Sequence, residues 1–144
     1  MCLTRLEKFN VNGKGYVVAE KVSHDTYGPL FCNKHDHTKL KRETKAYITR
    51  VHCDPHWEKF DDEYSSGWHI LPRKADAIEL LAASRNLKAG RENERYVMLQ
   101  VSYRKTGVTT GWQTRDSVFY AWRPEGSLKV VVASHRTLLR EVKV

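Results

Sequence analysis

Alternation of apolar side chains along short segments is the feature that most constrains how this chain can fold. In residues 96–103, one face of an extended chain carries Val97, Leu99, Val101 and Tyr103. A repeat of two residues is that of a β-strand with one buried face. Residues 46–53 alternate in the same way, and we expect another strand there.

Residues 73–86 are the one segment with the periodicity of a helix. One side of this helix would carry Ala77, Ile78, Leu81 and Ser84, widened by Leu80. Pro72 stands just before the segment, where a proline loses no helical hydrogen bond. We therefore expect one main helix, packed by its apolar side.

Further β-rich segments and turns complete the pattern. We expect strands at residues 16–22, 67–71, 108–114 and 117–122, and turns at 10–15 and 25–29. Residues 128–134 and 138–144 form either a hairpin or one long bent strand. The sequence thus predicts an α+β fold with a mostly antiparallel sheet of about six strands and one packed helix, as a single domain over residues 1–144.

The chain is basic, with 25 Lys and Arg against 17 Asp and Glu and a net charge of +8. Residues 34–50 carry six cations and two anions, whereas residues 54–63 carry five anions and one cation. An excess of positive charge favours anionic partners such as nucleic acid, nucleotides or an acidic protein surface. The alternative is a basic protein with no such partner.

Two properties of the sequence bear on its compartment. No apolar run approaches the ~20 residues of a membrane-spanning helix, and the first residues lack the apolar region of a signal peptide. Three cysteines are too few and odd in number for a disulfide framework. We therefore expect a protein of the cytoplasm, without a membrane partner.

Cysteine and histidine cluster in two short segments that could bind a metal ion. Thiolate and imidazole are ligands that zinc prefers, and the four candidates are Cys32, His35, Cys53 and His56. Residue 52 and residue 53 of one strand would point to opposite faces, which argues against a shared ion. The alternative is a histidine-rich surface with ordinary thiols and no cofactor.

A pair of His-x-Thr tripeptides supports a different hypothesis, a 2H-like phosphoesterase. The two histidines would act as general base and general acid on a nucleotide phosphodiester, while the hydroxyls hold the phosphate. The residues concerned are His24, Thr26, His135 and Thr137. That enzyme family usually has an apolar residue between the two, where this chain has Asp25 and Arg136.

Several short motifs occur in an order that resembles a known family. They are Met1-Cys2-Leu3, Gly15-Tyr16-Val17-Val18, Tyr27-Gly28-Pro29-Leu30-Phe31, Gly67-Trp68-His69-Ile70-Leu71, Asp76-Ala77, Lys129-Val130-Val131-Val132-Ala133-Ser134 and Leu138-Leu139-Arg140-Glu141-Val142. The order is similar to that of small uncharacterised phage and bacterial proteins that start Met-Cys-Leu and carry a Gly-aromatic-His strand, an Asp-Ala helix and a closing Val-rich strand. The resemblance implies an α+β fold and a phage or prophage origin, hence the host cytoplasm, and it implies no reaction.

The leading hypothesis is a non-enzymatic, phage-type accessory protein, with an anti-defence role, that binds an anionic partner. Tryptophan beside arginine can stack bases while the cations hold phosphates. The predicted ligand-binding residues are Arg104, Lys105, Trp112, Arg115 and Arg123. A third hypothesis is a protein–protein inhibitor of a host factor that uses the acidic segment 61–63.

Overall fold

A computed structural model describes residues 3–29, 37–53, 63–86, 95–114 and 127–144 of the chain. Within these ranges there are twelve strands and one helix. The elements are β1 (Arg5–Leu6), β2 (Lys14–Lys21), β3 (Thr26–Pro29), β4 (Thr38–Lys39), β5 (Glu43–Lys45), β6 (Arg50–His52), β7 (Glu63–Ser65), β8 (Trp68–Ile70), α1 (Lys74–Asn86), β9 (Tyr96–Tyr103), β10 (Thr109–Thr114), β11 (Ser127–Ala133) and β12 (His135–Val142).

The largest sheet has six antiparallel strands in the order β4-β3-β2-β9-β12-β5. Its two outer strands, β4 and β5, follow each other in the chain. The Lys41 backbone N–H in the turn between them donates to the Leu138 carbonyl of β12 at 2.7 Å. This bond draws the two edges towards each other, so the sheet is rolled and nearly closed. The α+β prediction with about six antiparallel strands and one helix is confirmed.

A second sheet has four antiparallel strands in the order β1-β10-β11-β8, and β6 and β7 form a separate two-stranded ribbon. Only Ser134 separates β11 from β12, yet these strands belong to different sheets. The C-terminal segment therefore crosses from the four-stranded sheet to the six-stranded one as a bent strand, and its two halves do not pair as a hairpin.

The two sheets also meet where β2 passes the end of β8. The N–H and C=O groups of Tyr16 and Leu71 exchange two hydrogen bonds of 2.8 Å each. Gly15 permits this approach, because a Cβ at that position would lie 2.5 Å from the Ile70 side chain and 2.9 Å from the Leu71 carbonyl oxygen. We call this contact the Tyr16–Leu71 bridge.

The helix begins one residue later than predicted and ends at the predicted residue. Its buried side chains include Ala77, Leu80 and Leu81, which pack on β2 and β9. The Arg85 guanidinium near its end donates to the Tyr96 carbonyl at 2.9 and 3.2 Å. Within the described ranges, no helix has the length and apolar character that crossing a bilayer requires.

The apolar core consists of two clusters because β2, β9 and β11 are covered on both faces. Successive residues Val17 and Val18 of β2 belong to different clusters, as the period of a strand demands. One cluster lies against α1 and includes Leu71, Met98 and Val130. The other lies on the opposite faces of the same strands and includes Ile70, Leu99, Val101 and Val131.

Two local predictions are wrong, and one lies outside the described residues. The turn predicted at residues 25–29 is mostly strand β3, because Tyr27 is buried and its backbone pairs with both β2 and β4. The strand predicted over residues 46–53 is reduced to β6. Residues 46–49 instead form a connection that backbone and side-chain hydrogen bonds hold in place. The strand predicted at residues 117–122 is outside the described ranges.

The close approach at Gly15 gives a first testable prediction. We expect Gly15→Ala to lower the free energy of unfolding by about 1–3 kcal/mol, because the added methyl group overpacks the contact with β8. Urea denaturation measures the loss. Thr106→Ala, at an exposed turn position, is the control and should change stability by less than about 0.5 kcal/mol. Equal stabilities of the two variants would contradict the close contact.

Candidate anion-binding site

Three residues stand side by side across the four-stranded sheet. The strand register pairs Arg5 of β1 with Trp112 of β10, and Trp112 with Lys129 of β11. Residues directly opposite each other on antiparallel strands have Cβ atoms about 5 Å apart and share one face of the sheet. Pairing alone therefore brings two cations to the two sides of one indole ring.

A third cation reaches the same indole from the start of the helix. The Arg73 guanidinium carbon lies 5.5 Å from the centre of the Trp112 ring, and that of Arg5 lies 5.7 Å from it. Both distances are within the range of cation–π attraction. The indole N–H donates to the Glu7 carboxylate, which therefore binds the ring edge and not the guanidinium groups.

A second aromatic ring continues this surface. The Lys129 ammonium lies 4.1 Å from the centre of the Phe9 ring, which is partly buried against the core. We call the six residues Arg5, Glu7, Phe9, Arg73, Trp112 and Lys129 the Trp112 cluster. It contains three cations and one carboxylate. Within the described part of the chain, no carboxylate forms an ion pair with any of the three cations.

The predicted ligand-binding residues have different surroundings. Trp112 is at the centre of the cluster. Arg104 follows β9 of the other sheet, and its guanidinium donates to both oxygens of Glu43 at 2.5 and 3.0 Å. These hydrogen bonds hold the pKa of the Glu43 carboxyl below its usual value. A ligand at Arg104 would have to compete with its ion pair to Glu43.

The other predicted ligand-binding residues give less information. Lys105 is exposed next to Gly13. Arg115 and Arg123 lie outside the described residues.

The residues of the phosphoesterase hypothesis occupy two separate places. His24 is 91% exposed in the turn between β2 and β3, where its ring and the Thr26 hydroxyl both face the Asp25 carboxylate at 3.8 and 3.0 Å. The hydrogen bond from Thr26 lowers the pKa of Asp25.

His135 begins β12 at another place in the fold, and its Nδ1 lies 2.8 Å from the Ser134 hydroxyl. Thr137 is two residues along the same strand, opposite Ser102. The enzyme hypothesis stays a prediction.

The candidate zinc ligands are represented by one described residue. Cys53 is buried in the core cluster that faces α1, next to the ribbon of β6 and β7. The preceding His52 points the other way, with its Nε2 3.2 Å from the Glu63 carboxylate. Cys32, His35 and His56 lie outside the described residues. Among the residues that are described, no group of three potential ligands comes together, and zinc stays a prediction.

A polar pair joins two strands of the same sheet, on the face opposite Trp112. The Nδ1 atom of His69 in β8 is 3.4 Å from the Oε1 atom of Gln113 in β10, which is 1% exposed. The Gln113 amide nitrogen has no hydrogen-bond partner in the described part of the chain. Burial lowers the pKa of the His69 imidazole from 6.5 to about 4. His69 is therefore neutral at physiological pH.

Comparisons with protein families, with curated proteins and with solved structures found no match to this chain. The site is therefore defined by its own geometry. Sequence reasoning found Trp112 and missed its partners, because Arg5, Arg73 and Lys129 belong to three distant segments. The one available signal was Lys129 itself, a cation inside a Val-rich strand.

The lowered pKa of His69 predicts that stability falls in mild acid. Between about pH 6.5 and pH 4 the unfolded chain binds a proton at His69 that the folded chain does not, so acid favours unfolding. We expect the free energy of unfolding to fall by about 2 kcal/mol from about pH 7 to about pH 5 through this group alone.

Urea titrations of two histidine variants test the assignment of this loss to His69. His69→Gln should remove most of the pH dependence, since glutamine does not titrate. His24→Gln, at an exposed histidine, is the control and should keep the pH dependence of the original protein. A His69→Gln protein that loses as much stability in acid as the original would refute the assignment.

Proposed function

We propose that this protein is a non-enzymatic binding protein for a phosphate-bearing ligand, a nucleotide or nucleic acid, and that the Trp112 cluster is its site. One observation supports the proposal above the others: two guanidinium groups from distant segments converge on one indole, beside a third cation. Convergent cations repel each other, so a surface that gathers them is stabilised when an anion binds between them.

The chemistry of the cluster suits a phosphate group better than it suits an uncharged or apolar ligand. Arginine offers a planar fork of N–H donors that matches two phosphate oxygens, and Lys129 adds a point charge. Trp112 and Phe9 give the cations apolar faces to lie on, which limits the side-chain entropy that binding would cost. The net charge of +8 would attract such a ligand over a longer range.

The biological setting in this proposal comes from the resemblance to phage proteins. A phage-type accessory protein that binds a nucleotide signal or a nucleic acid could act against a host defence system without catalysing a reaction. The Trp112 cluster contains no nucleophile and no titratable histidine, in keeping with a binding role. The cytoplasm of the host, where nucleotides are abundant, would be its compartment.

Site-specific charge removal tests the proposal. We expect Arg5→Ala and Arg73→Ala each to weaken binding of a fluorescently labelled single-stranded oligonucleotide by about ten-fold or more, because each variant loses charged hydrogen bonds to phosphate. Each loss should also lower the salt slope of log Kd by about 0.7. Unlabelled ATP and inorganic phosphate, used as competitors, show whether one phosphate group suffices.

The matched control is Arg140→Ala, which removes the same charge from an exposed position on β12. The Arg140 guanidinium donates to the Gln100 side chain, and among the described residues it does not lie over any aromatic ring. The control should keep the affinity of the original protein to within about two-fold, because a single exposed charge contributes little free energy. If all three variants weaken binding equally, the protein is attracting nucleic acid by its net charge and the Trp112 cluster is not the site.

A further inference from the structure

Hydrogen bonds fix the orientation of the Trp112 indole at both of its ends. The Trp112 carbonyl accepts hydrogen bonds from the Thr4 N–H and the Thr4 hydroxyl, each at 2.8 Å. The indole N–H donates to the Glu7 carboxylate. The Glu7 N–H donates in turn to the carbonyl of Thr110, on the same strand as Trp112, at 3.1 Å. The two faces of the ring therefore point in set directions.

Two guanidinium groups reach this ring from opposite sides of β10. Arg5 lies on β1, which pairs with one side of β10. Arg73 follows β8, which lies on the other side of β10, beyond β11. The guanidinium carbons of Arg5 and Arg73 lie 5.7 and 5.5 Å from the centre of the indole ring. Each flank of the sheet thus contributes one arginine to the Trp112 ring.

A stacked base would need the space that these guanidinium groups occupy. Stacked aromatic rings have centres about 4.5–7 Å apart. The guanidinium carbons of Arg5 and Arg73 lie at distances within that range from the centre of the Trp112 ring. A base could stack on the indole only by displacing a guanidinium group. Such a displacement would break a cation–π contact and move a phosphate-binding cation out of the site.

The second aromatic ring of the cluster also has a cation over it. Phe9 packs against the core, and the Lys129 ammonium lies 4.1 Å from the centre of its ring. Both rings of the Trp112 cluster are therefore already in contact with cations before any ligand binds. Cation–π attraction of this kind holds the charged groups in place.

We propose that the Trp112 cluster recognises the phosphate groups of a nucleic-acid strand and does not contact the bases. In this arrangement the rings of Trp112 and Phe9 orient the cations, so both are positioning residues and not stacking platforms. Phosphate groups are the same at every position of a strand, and the cluster therefore binds any sequence. A free nucleotide signal is disfavoured, because a site that ignores the base cannot distinguish one nucleotide from another. This inference rests on the proposed function and names the part of the ligand that is recognised.

A strand without bases is the probe. Binding of a labelled oligothymidine strand is compared with binding of a labelled strand of equal length and charge in which every nucleoside is replaced by an abasic sugar. We expect the two dissociation constants to agree within about two-fold, because a stacked base would contribute about five-fold or more. The two affinities should fall with salt along equal slopes, since both strands carry the same number of phosphates.

Two variants of Trp112 test its role as a positioning residue. Trp112→Leu removes the ring on which the arginines lie, so we expect both strands to bind about three-fold or more weakly, by the same factor. Trp112→Phe keeps an aromatic face for the arginines and should restore most of the affinity. Tyr47→Ser is the control, because Tyr47 is an aromatic residue outside the cluster that is 88% exposed. It should leave both affinities unchanged.

Competition with small phosphates is an independent measurement that needs no variant. Inorganic tripolyphosphate should displace the labelled abasic strand at least as well as ATP does, since adenine contributes nothing to binding in this proposal. Urea denaturation shows whether each Trp112 variant is folded. If Trp112→Leu is unfolded, the comparison of the two strands on the original protein and the competition still decide the question.

Three results would overturn recognition through phosphate alone. The first is an oligothymidine strand that binds about five-fold or more tightly than the abasic strand. The second is a Trp112→Leu protein that loses affinity for the oligothymidine strand only. The third is displacement by ATP that is about ten-fold better than displacement by tripolyphosphate. Failure of the proposed function is a separate outcome, in which Arg5→Ala and Arg73→Ala bind both strands as Arg140→Ala does.

Discussion

The Tyr16–Leu71 bridge is the contact on which the rest of the arrangement depends. It is possible because Gly15 has no side chain where β2 passes β8. Leu71 is held by this contact, and the chain leaves it through Pro72 to Arg73 and the helix. The position of Arg73 over Trp112 is therefore a consequence of how closely two strands of different sheets approach. A strand that carried any larger residue at position 15 would move β8, the start of α1 and one of the three cations together.

The sequence predicted those helices and strands that are long enough to contain several periods of the apolar pattern. The helix and β9 were found at nearly their true bounds, because thirteen and eight residues contain several periods. Strands of two to four residues, such as β3 and β5, contain no full pattern, and their formation depends on partners elsewhere in the chain. Residues 46–49 show the converse, since they alternate as a strand does while their hydrogen bonds form a connection between β5 and β6.

The residues of the candidate site could be predicted from the sequence only in part, for the same physical reason. Trp112 was recognisable as an aromatic residue among cations, but its neighbours are set by the register of β1, β10 and β11. Local sequence carries no information about register between strands that distant. Arg104 met the same local criteria as the cluster residues, yet in the fold its guanidinium binds Glu43.

Most charged side chains among the described residues lie at the surface, where water solvates them. His69 is neutral because burial lowers its pKa. Asp76 and Arg136 are both buried, and the Arg136 guanidinium lies 3.9 Å from the centre of the Trp68 ring. The Trp68 indole N–H donates to the Thr44 carbonyl of β5 at the same time. One tryptophan thus contacts a buried cation with its face and binds the backbone of β5 with its edge.

The position of β1 in the chain affects the order in which the molecule folds. Its partner β10 lies far along the chain, and β10 in turn needs β11, so a large loop must close before Arg5 can meet Trp112. Such long-range pairing is slow compared with the formation of a helix. On a ribosome, the Trp112 cluster would be absent until most of the chain had emerged. The Trp112 cluster therefore forms only when folding is complete. A partly folded chain would contain the same cations, but they would not lie close together.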